Sequence, residues 1–127
     1  MVRKIYDCAN GCPVETTLQV ISGKWKCVIL FHLLNNEICR FGELEKLMPG
    51  CSRRMLALQL KELELDKIIH KDIYSIMPPI TEYTLTELGR TLEPVVVEMN
   101  RWGNKYNQIL FKRSSENYFQ TTFSKPS

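Results

Sequence analysis

The sequence has little that would mark a catalyst or a membrane protein. Its most apolar run, Cys27–Leu34, is eight residues long. That is far short of the ~20 apolar residues a membrane-spanning helix requires. The opening MVRKIYDCANGCPVE holds no apolar segment that could serve as a signal peptide, so a cytoplasmic protein with no membrane partner is expected. Histidine is scarce, with only His32 and His70, far apart in the chain. There is no phosphate-cradling glycine loop, nucleophile elbow or paired-histidine motif. No active site is nominated, and neither an enzyme nor a cofactor requirement is expected. Cysteine is the exception, with five residues. In a cytoplasmic chain these are read as reduced thiols, and an odd number leaves at least one unpaired in a monomer. Cys8 and Cys12 are spaced like metal ligands, but no histidine is near and structural zinc takes four ligands; no metal site is expected.

The 127 residues are 44% hydrophobic and 24% charged, which suits one globular domain with a real core. A net charge of +3 is mildly basic. It permits a polyanionic partner, but any such affinity must come from where the cations sit.

Asn10-Gly11 signals a turn, and Pro13 then suits the first position of a helix over Pro13–Ile21. Ser22-Gly23 interrupts the chain, and Lys24–Leu34 reads as a largely buried second helix ended by Asn35-Asn36. Phe41, Leu44, Leu47 and Met48 have the spacing of a short third helix. Pro49-Gly50 then turns the chain into Cys51–Asp66, CSRRMLALQLKELELD.

That stretch is amphipathic. At ~100° per residue, Leu56, Leu60 and Leu63 share a narrow arc; Arg54, Ala57, Leu58 and Lys61 occupy the opposite one, with Arg53 on a flank. Ser52 is a good N-cap. Taken alone, such a helix is an ordinary surface helix with solvated charges. Preceded by a short helix and a tight turn, it completes the outline of a helix-turn-helix.

The segment after Asp66 makes the outline more specific. Ile68–Tyr74 and Ile80–Leu85 are strand-like, and the prolines of Ser75–Pro79 force a loop between them. A hairpin directly after such a helix is a wing. The expected fold is therefore mainly α with a small β hairpin, a winged helix-turn-helix. Thr86 and Glu87 then start a final helix running to about Phe111, with Pro94 marking a kink or a fresh start. Its apolar stripe is Leu88, Leu92, Val95, Met99, Trp102, Tyr106 and Ile109, of which those from Leu92 onward are the candidate dimer contacts. At roughly 36 Å for ~24 residues, it is longer than a core of this size needs to cover. It is read as a dimerisation helix, against the alternative of a terminal helix packed on its own domain. Residues 1–113 are thus expected to form one domain with its dimerisation helices, and 114–127 a polar tail whose Tyr118, Phe119 and Phe123 could dock on a partner subunit.

Three segments together are recognisable. CPVETTLQVISGKWKCVIL, RFGELEKLMPGCSRRMLALQLKELE and PPITEYTLTELGRTLEPVV, followed by RWG, resemble the HxlR family of bacterial winged-helix transcription regulators, relatives of the MarR type. The resemblance runs from about Cys12 to Gly103 in register. It rests on Cys12-Pro13, Gly23-Lys24-Trp25, Arg40-Phe41-x-x-Leu44, Pro49-Gly50, Pro78-Pro79, Glu82-Tyr83 and Leu85-Thr86 in combination. It implies a homodimer on a palindromic operator in double-stranded DNA, with dimer contacts from the N- and C-terminal helices. Some members sense oxidants or electrophiles through a cysteine at the position of Cys12. One departure is Lys67, where the family commonly has glycine.

On this reading Arg54 and Lys61 are candidates for base or near-base contact, and Ala57 and Leu58 for thymine methyl groups. Arg53 and Ser52 are better placed for phosphate. Lys71 and the backbone around Ser75 belong to the wing, and Lys24 and Arg40 are candidates for accessory contact. Each lone cation could equally be a solvated surface charge, and Lys67 is open in the same way. Cys12, at a helix N-terminus, is the candidate redox site, since partial positive charge there favours a thiolate, although Glu15 opposes it. Cys51 occupies a similar local setting. The alternative for Cys8, Cys27, Cys39 and Cys51 is a small buried hydrophobe. A winged helix used only for protein–protein assembly, without specific DNA binding, is the competing function; the operator and any small-molecule effector are not encoded in recognisable form.

Overall fold

A computed structural model of the chain describes residues 12–111. The N-terminal segment with Cys8 and the tail from Ser114, with its three aromatic residues, lie outside the described residues. The chain divides into two compact units, one ending at Thr91 and the other starting at Leu92.

In the first unit α1 spans Pro13–Ile21, α2 Lys26–Asn36, α3 Phe41–Leu47, α4 Arg53–Leu65 and α5 Glu87–Arg90; strands are β1 Cys39–Arg40, β2 Ile69–Tyr74 and β3 Ile80–Leu85. The strands form one antiparallel sheet in the order β1-β3-β2. This is a winged helix: three helices, a recognition-type helix α4, and a β2–β3 hairpin. The periodicity places α1, α3, α4 and both hairpin strands correctly to within a residue or two.

α2 starts two residues later than the apolar pattern indicates. Gly23 adopts φ +100°, a left-handed conformation in which a Cβ is strained, and Trp25 serves as N-cap. At its other end Asn35 and Asn36 are still helical. Glu37, at φ +61°, closes the helix by donating its N–H to Leu33 O at 2.9 Å. Strand β1 has no sequence signal at two residues; it exists because Cys39 and Arg40 pair with Tyr83 and Glu82 of β3.

The core of this unit is aliphatic. Ile29, Leu30 and Leu33 of α2, Leu44 of α3, and Leu56, Leu60 and Leu63 of α4 are all at most 1% exposed. Each contributes roughly 1.5–3 kcal/mol by leaving water. Ile69, Tyr83 and Leu85 cover them from the sheet.

The turn from α4 into the wing explains the unusual Lys67. Its φ is +65°. Lys67 N–H donates to Glu64 O and Ile68 N–H to Leu63 O, each at 3.0 Å. These two bonds form a Schellman closure, in which the residue following the cap adopts the left-handed conformation that glycine suits best. Thr86 ties the same turn to α5. Its Oγ1 accepts from Gly89 N–H at 2.9 Å, and its own N–H donates to Ile68 O at 3.0 Å.

The second unit is described by α6, Glu93–Phe111. The expected single terminal helix is thus two, since residues 91–92 separate α5 from α6 and Pro94 lies in the first turn of the latter. Proline tolerates that position because its missing N–H would have no helical acceptor. Of the expected stripe, Leu88 falls in α5 instead; Val95, Met99, Trp102, Tyr106 and Ile109 are exposed, between 36% and 64%, and Leu92 is half-buried. The Trp102 and Tyr106 rings stack at 5.2 Å between centroids.

Candidate nucleic-acid interface

α4 has the two faces that its sequence pattern implies. Leu56, Leu60 and Leu63 are buried, while Arg54, Ala57, Leu58 and Lys61 are all exposed. Ser52 caps the helix, its Oγ accepting from Met55 N–H at 3.1 Å. Gly50, at φ +91°, makes the turn after α3. Arg54 and Lys61 have no ion pair or side-chain hydrogen bond to another described residue. Their cationic groups stand ready for an external anion.

Two other candidate cations, Arg53 and Arg40, are paired with carboxylates. Arg53 reaches back to α3, with Nη1 2.8 Å from Glu45 Oε1 and its guanidinium 5.0 Å from the centre of the Phe41 ring. Arg40 pairs across the sheet with Glu82, Nε to Oε2 at 3.7 Å, and its N–H donates to Glu43 Oε1 at 2.7 Å. Glu43 thereby satisfies a donor at the α3 N-terminus, a tie that an arginine N-cap conceals in sequence. Lys24 lies over its neighbour Trp25, 4.7 Å from the ring centre. These cations hold the scaffold as well as charging its surface.

In the wing the candidates separate. Lys71 pairs in register with Tyr83, and Ile69 with Leu85. Alternation along a strand puts Lys71 on the face shared by buried Ile69, Tyr83 and Leu85, and it is half-buried. Ser75 is exposed at the tip beside Ile76 and Met77, the latter 96% exposed. On the opposite face His70 Nε2 lies 3.1 Å from Asp72 Oδ1.

Lys26 is a residue that no sequence pattern singles out. It is 2% exposed, and its Nζ lies 2.7 Å from Glu62 Oε1 on α4. A lysine next to a helix start reads as a surface charge; only the packed structure shows otherwise.

The cysteines also divide. Cys12 is exposed at the N-cap of α1, where its carbonyl, not its sulfur, accepts from Glu15 N–H at 2.8 Å. Cys51 departs from the setting expected of it: only 8% exposed, its thiol is pushed up by burial, an effect the nearby Lys24 charge only partly opposes. Ser52, not Cys51, caps α4, so the sulfur gains no cap interaction. Burial also raises Cys27. It pushes Cys39 up to about 11, with Glu43 adding to the shift. Among the described residues no group of three or more His, Cys, Asp or Glu could hold a metal ion, and no helix is long and apolar enough to cross a membrane.

Comparison with known proteins agrees with this geometry. The signature of the HxlR-like helix-turn-helix family matches residues 20–110. The uncharacterized HTH-type transcriptional regulator YdeP of Bacillus subtilis (strain 168) is 53% identical over 106 residues, covering 84% of this chain and 82% of its own. The reduced form of the redox regulator HypR superposes with a TM-score of 0.74 at 46% identity, covering 80% of this chain and 100% of that structure. Its oxidized form gives 0.70 at 50% identity, covering 74% and 96%. The chain belongs to the HxlR-like helix-turn-helix family of transcriptional regulators.

Proposed function

We propose that this regulator acts as a homodimer on a palindromic operator, with α4 of each subunit in the major groove and oxidation or electrophile attack at Cys12 controlling occupancy. The observation that carries the reading is the outward arc of α4. Arg54 and Lys61 are cationic and uncommitted, Ala57 and Leu58 lie between them, and the opposite arc is fully anchored. A major groove ~12 Å wide admits such a helix, and two-fold symmetry sets the two helices ~34–36 Å apart along the duplex. The exposed apolar face of α6, from Val95 to Ile109, supports a second copy as its cover, since so much apolar surface rarely stays in water. Ser52 serves a phosphate, with Lys24 and Ser75 as accessory contacts, while Arg53 stays paired with Glu45. Lys71, on the inner face of the hairpin, contributes less.

For control, the exposure of Cys12 and the likeness to a redox regulator favour thiol chemistry there. Disulfide formation removes two electrons and two protons from Cys12 and a second thiol and passes them to the oxidant. A bond made in this way across the dimer would shift the two α4 helices relative to one another.

The test is selection of bound sites from random duplex DNA, followed by titration of the selected site with and without diamide. The expected result is a palindrome bound by a dimer and released on oxidation, with Cys12→Ser retaining the DNA. Unchanged release by Cys12→Ser would sink the sensing role. A binding curve indifferent to salt would instead indicate a protein-assembly module, because phosphate contacts release counterions.

A further inference from the structure

Lys26 sits where a lysine is doubly costly. It is 2% exposed, so its ammonium has lost water, and it occupies the first position of α2, where the helix dipole disfavours a cation. Its compensation is Glu62 on α4, at 2.7 Å. The Glu62 side chain keeps 32% of its surface exposed, so one charge is buried fully and the other in part. Pairs that bury charge are weak contributors to stability, and apolar replacements of similar volume are often neutral or better. Their better attested use is to select one packing among several. α4 has need of such a device. Its buried stripe is three leucines, and aliphatic side chains of similar size tolerate repacking before stability is lost.

The position of the pair fits that role. At ~100° per residue, Glu62 lies roughly 90° from the middle of the exposed arc and roughly 130° from the leucine stripe. It therefore sits on the flank of α4, where a fixed contact opposes rotation about the helix axis. With side chains reaching ~6 Å from that axis, a turn of ~10° displaces a contact atom by ~1 Å, about twice the tolerance a precise site allows. We infer that Lys26 and Glu62 set the rotation of α4, and so are positioning residues for sequence discrimination that themselves touch no DNA. The inference deepens the proposed DNA-binding role and rests on it.

The test compares the wild-type protein with Lys26→Met/Glu62→Gln, a pair that removes both charges and keeps the volumes. Affinities for the selected operator and for random duplex are measured by fluorescence anisotropy, and α4 amides are followed in ¹⁵N-edited spectra. The operator-to-random affinity ratio is expected to fall at least tenfold, with random-duplex affinity within about twofold and a melting temperature close to wild type. The amides of Arg54, Ala57 and Lys61 are expected to broaden or double. Glu62→Gln alone, which leaves a hydrogen-bond acceptor for Lys26, should retain more of the ratio than the double variant. A ratio and spectrum unchanged in the double variant overturn the inference. So does a collapse in melting temperature with both affinities lost together, since the pair would then serve stability. If the wild type shows no operator preference, the DNA-reading proposal itself has failed; the spectra still decide whether the pair holds α4 in one orientation.

Discussion

Two adjacent arginines on α4 are expected to fail differently when removed. Arg54 has no partner among the described residues, so Arg54→Ala should leave stability within ~0.5 kcal/mol of wild type. If it reads a base, the loss is about 1–3 kcal/mol per half-site. A dimer on two half-sites then loses about 2–6 kcal/mol, at least a ~30-fold drop in operator affinity. Random DNA should be affected far less, and discrimination should relax at one position of each half-site. Arg53→Ala removes an exposed ion pair with Glu45 and the contact over Phe41. Together these are worth about 0.5–2 kcal/mol of stability. It also leaves the Glu45 carboxylate unpaired beside the DNA, so affinity should fall for every sequence alike. The assay is anisotropy titration of both variants against the operator, single-position operator variants and random duplex. Loss of affinity by Arg54→Ala in equal proportion on all three would place Arg54 on phosphate and refute its role in readout.

The geometry fixes three further outcomes. A Cβ on Gly89 would lie 2.1 Å from the carbonyl oxygen of Ile68, where more than 3 Å is needed, so Gly89→Ala must break the Thr86–Ile68 tie. A loss of roughly 2–4 kcal/mol should appear in thermal melts as a drop of roughly 6–20 °C; a drop of only a degree or two would show that α5 moves aside freely. Lys67→Gly relieves a left-handed conformation worth about 1–2 kcal/mol and gives back part of this as unfolded-chain entropy. Denaturant titration should find the variant equal to or slightly more stable than wild type, and a clear loss would refute the Schellman account. In the native protein at pH 8, Cys39, with a thiol pushed up to about 11, is only about one part in a thousand thiolate. Burial raises Cys27 and Cys51 too. Brief iodoacetamide treatment with peptide mapping should therefore find Cys12 alkylated well before these three, the order narrowing as the pH rises; early labelling of Cys51 would contradict its burial.

The parts of this fold that were legible in sequence are those encoded by local period and punctuation. Leu56, Leu60 and Leu63 repeat at helical spacing, Ser52 caps, and Pro49-Gly50 and Ser75–Pro79 turn. The parts that were not legible are set by tertiary partners. β1 is a strand only because β3 lies beside it. Glu37 and Lys67 take left-handed conformations that no propensity assigns to glutamate or lysine, held by backbone bonds to Leu33, Leu63 and Glu64. The same limit applies to the charges. Lys24, Lys26, Arg40, Arg53, Arg54, Lys61 and Lys71 look alike as letters, and only packing separates the uncommitted from the engaged. Cys12 and Cys51 each precede a helix in sequence, yet one is exposed and the other almost covered.

That division of charges fixes how strongly salt should oppose binding. Among the candidate contacts on α4 and on the segments leading into α2 and α3, in each subunit of the proposed dimer, Lys24, Arg54 and Lys61 have no carboxylate partner among the described residues, whereas Arg40 and Arg53 are paired with Glu82 and Glu45. A cation that keeps its carboxylate carries no net charge to the duplex and releases no counterion. These three cations without a carboxylate per subunit give six in the proposed dimer. At ~0.9 counterions per neutralised phosphate, log K should then fall against log salt with a slope of about −5. If Arg40 and Arg53 abandoned their carboxylates for phosphates, the count would be ten and the slope about −9. Anisotropy titrations of random duplex from low to physiological salt distinguish the two. A slope near −5 means that the α3–α4 and sheet ion pairs persist on DNA, so the protein binds as a preformed surface. A slope near −9 would overturn that view, since the pairs would be latches released by DNA.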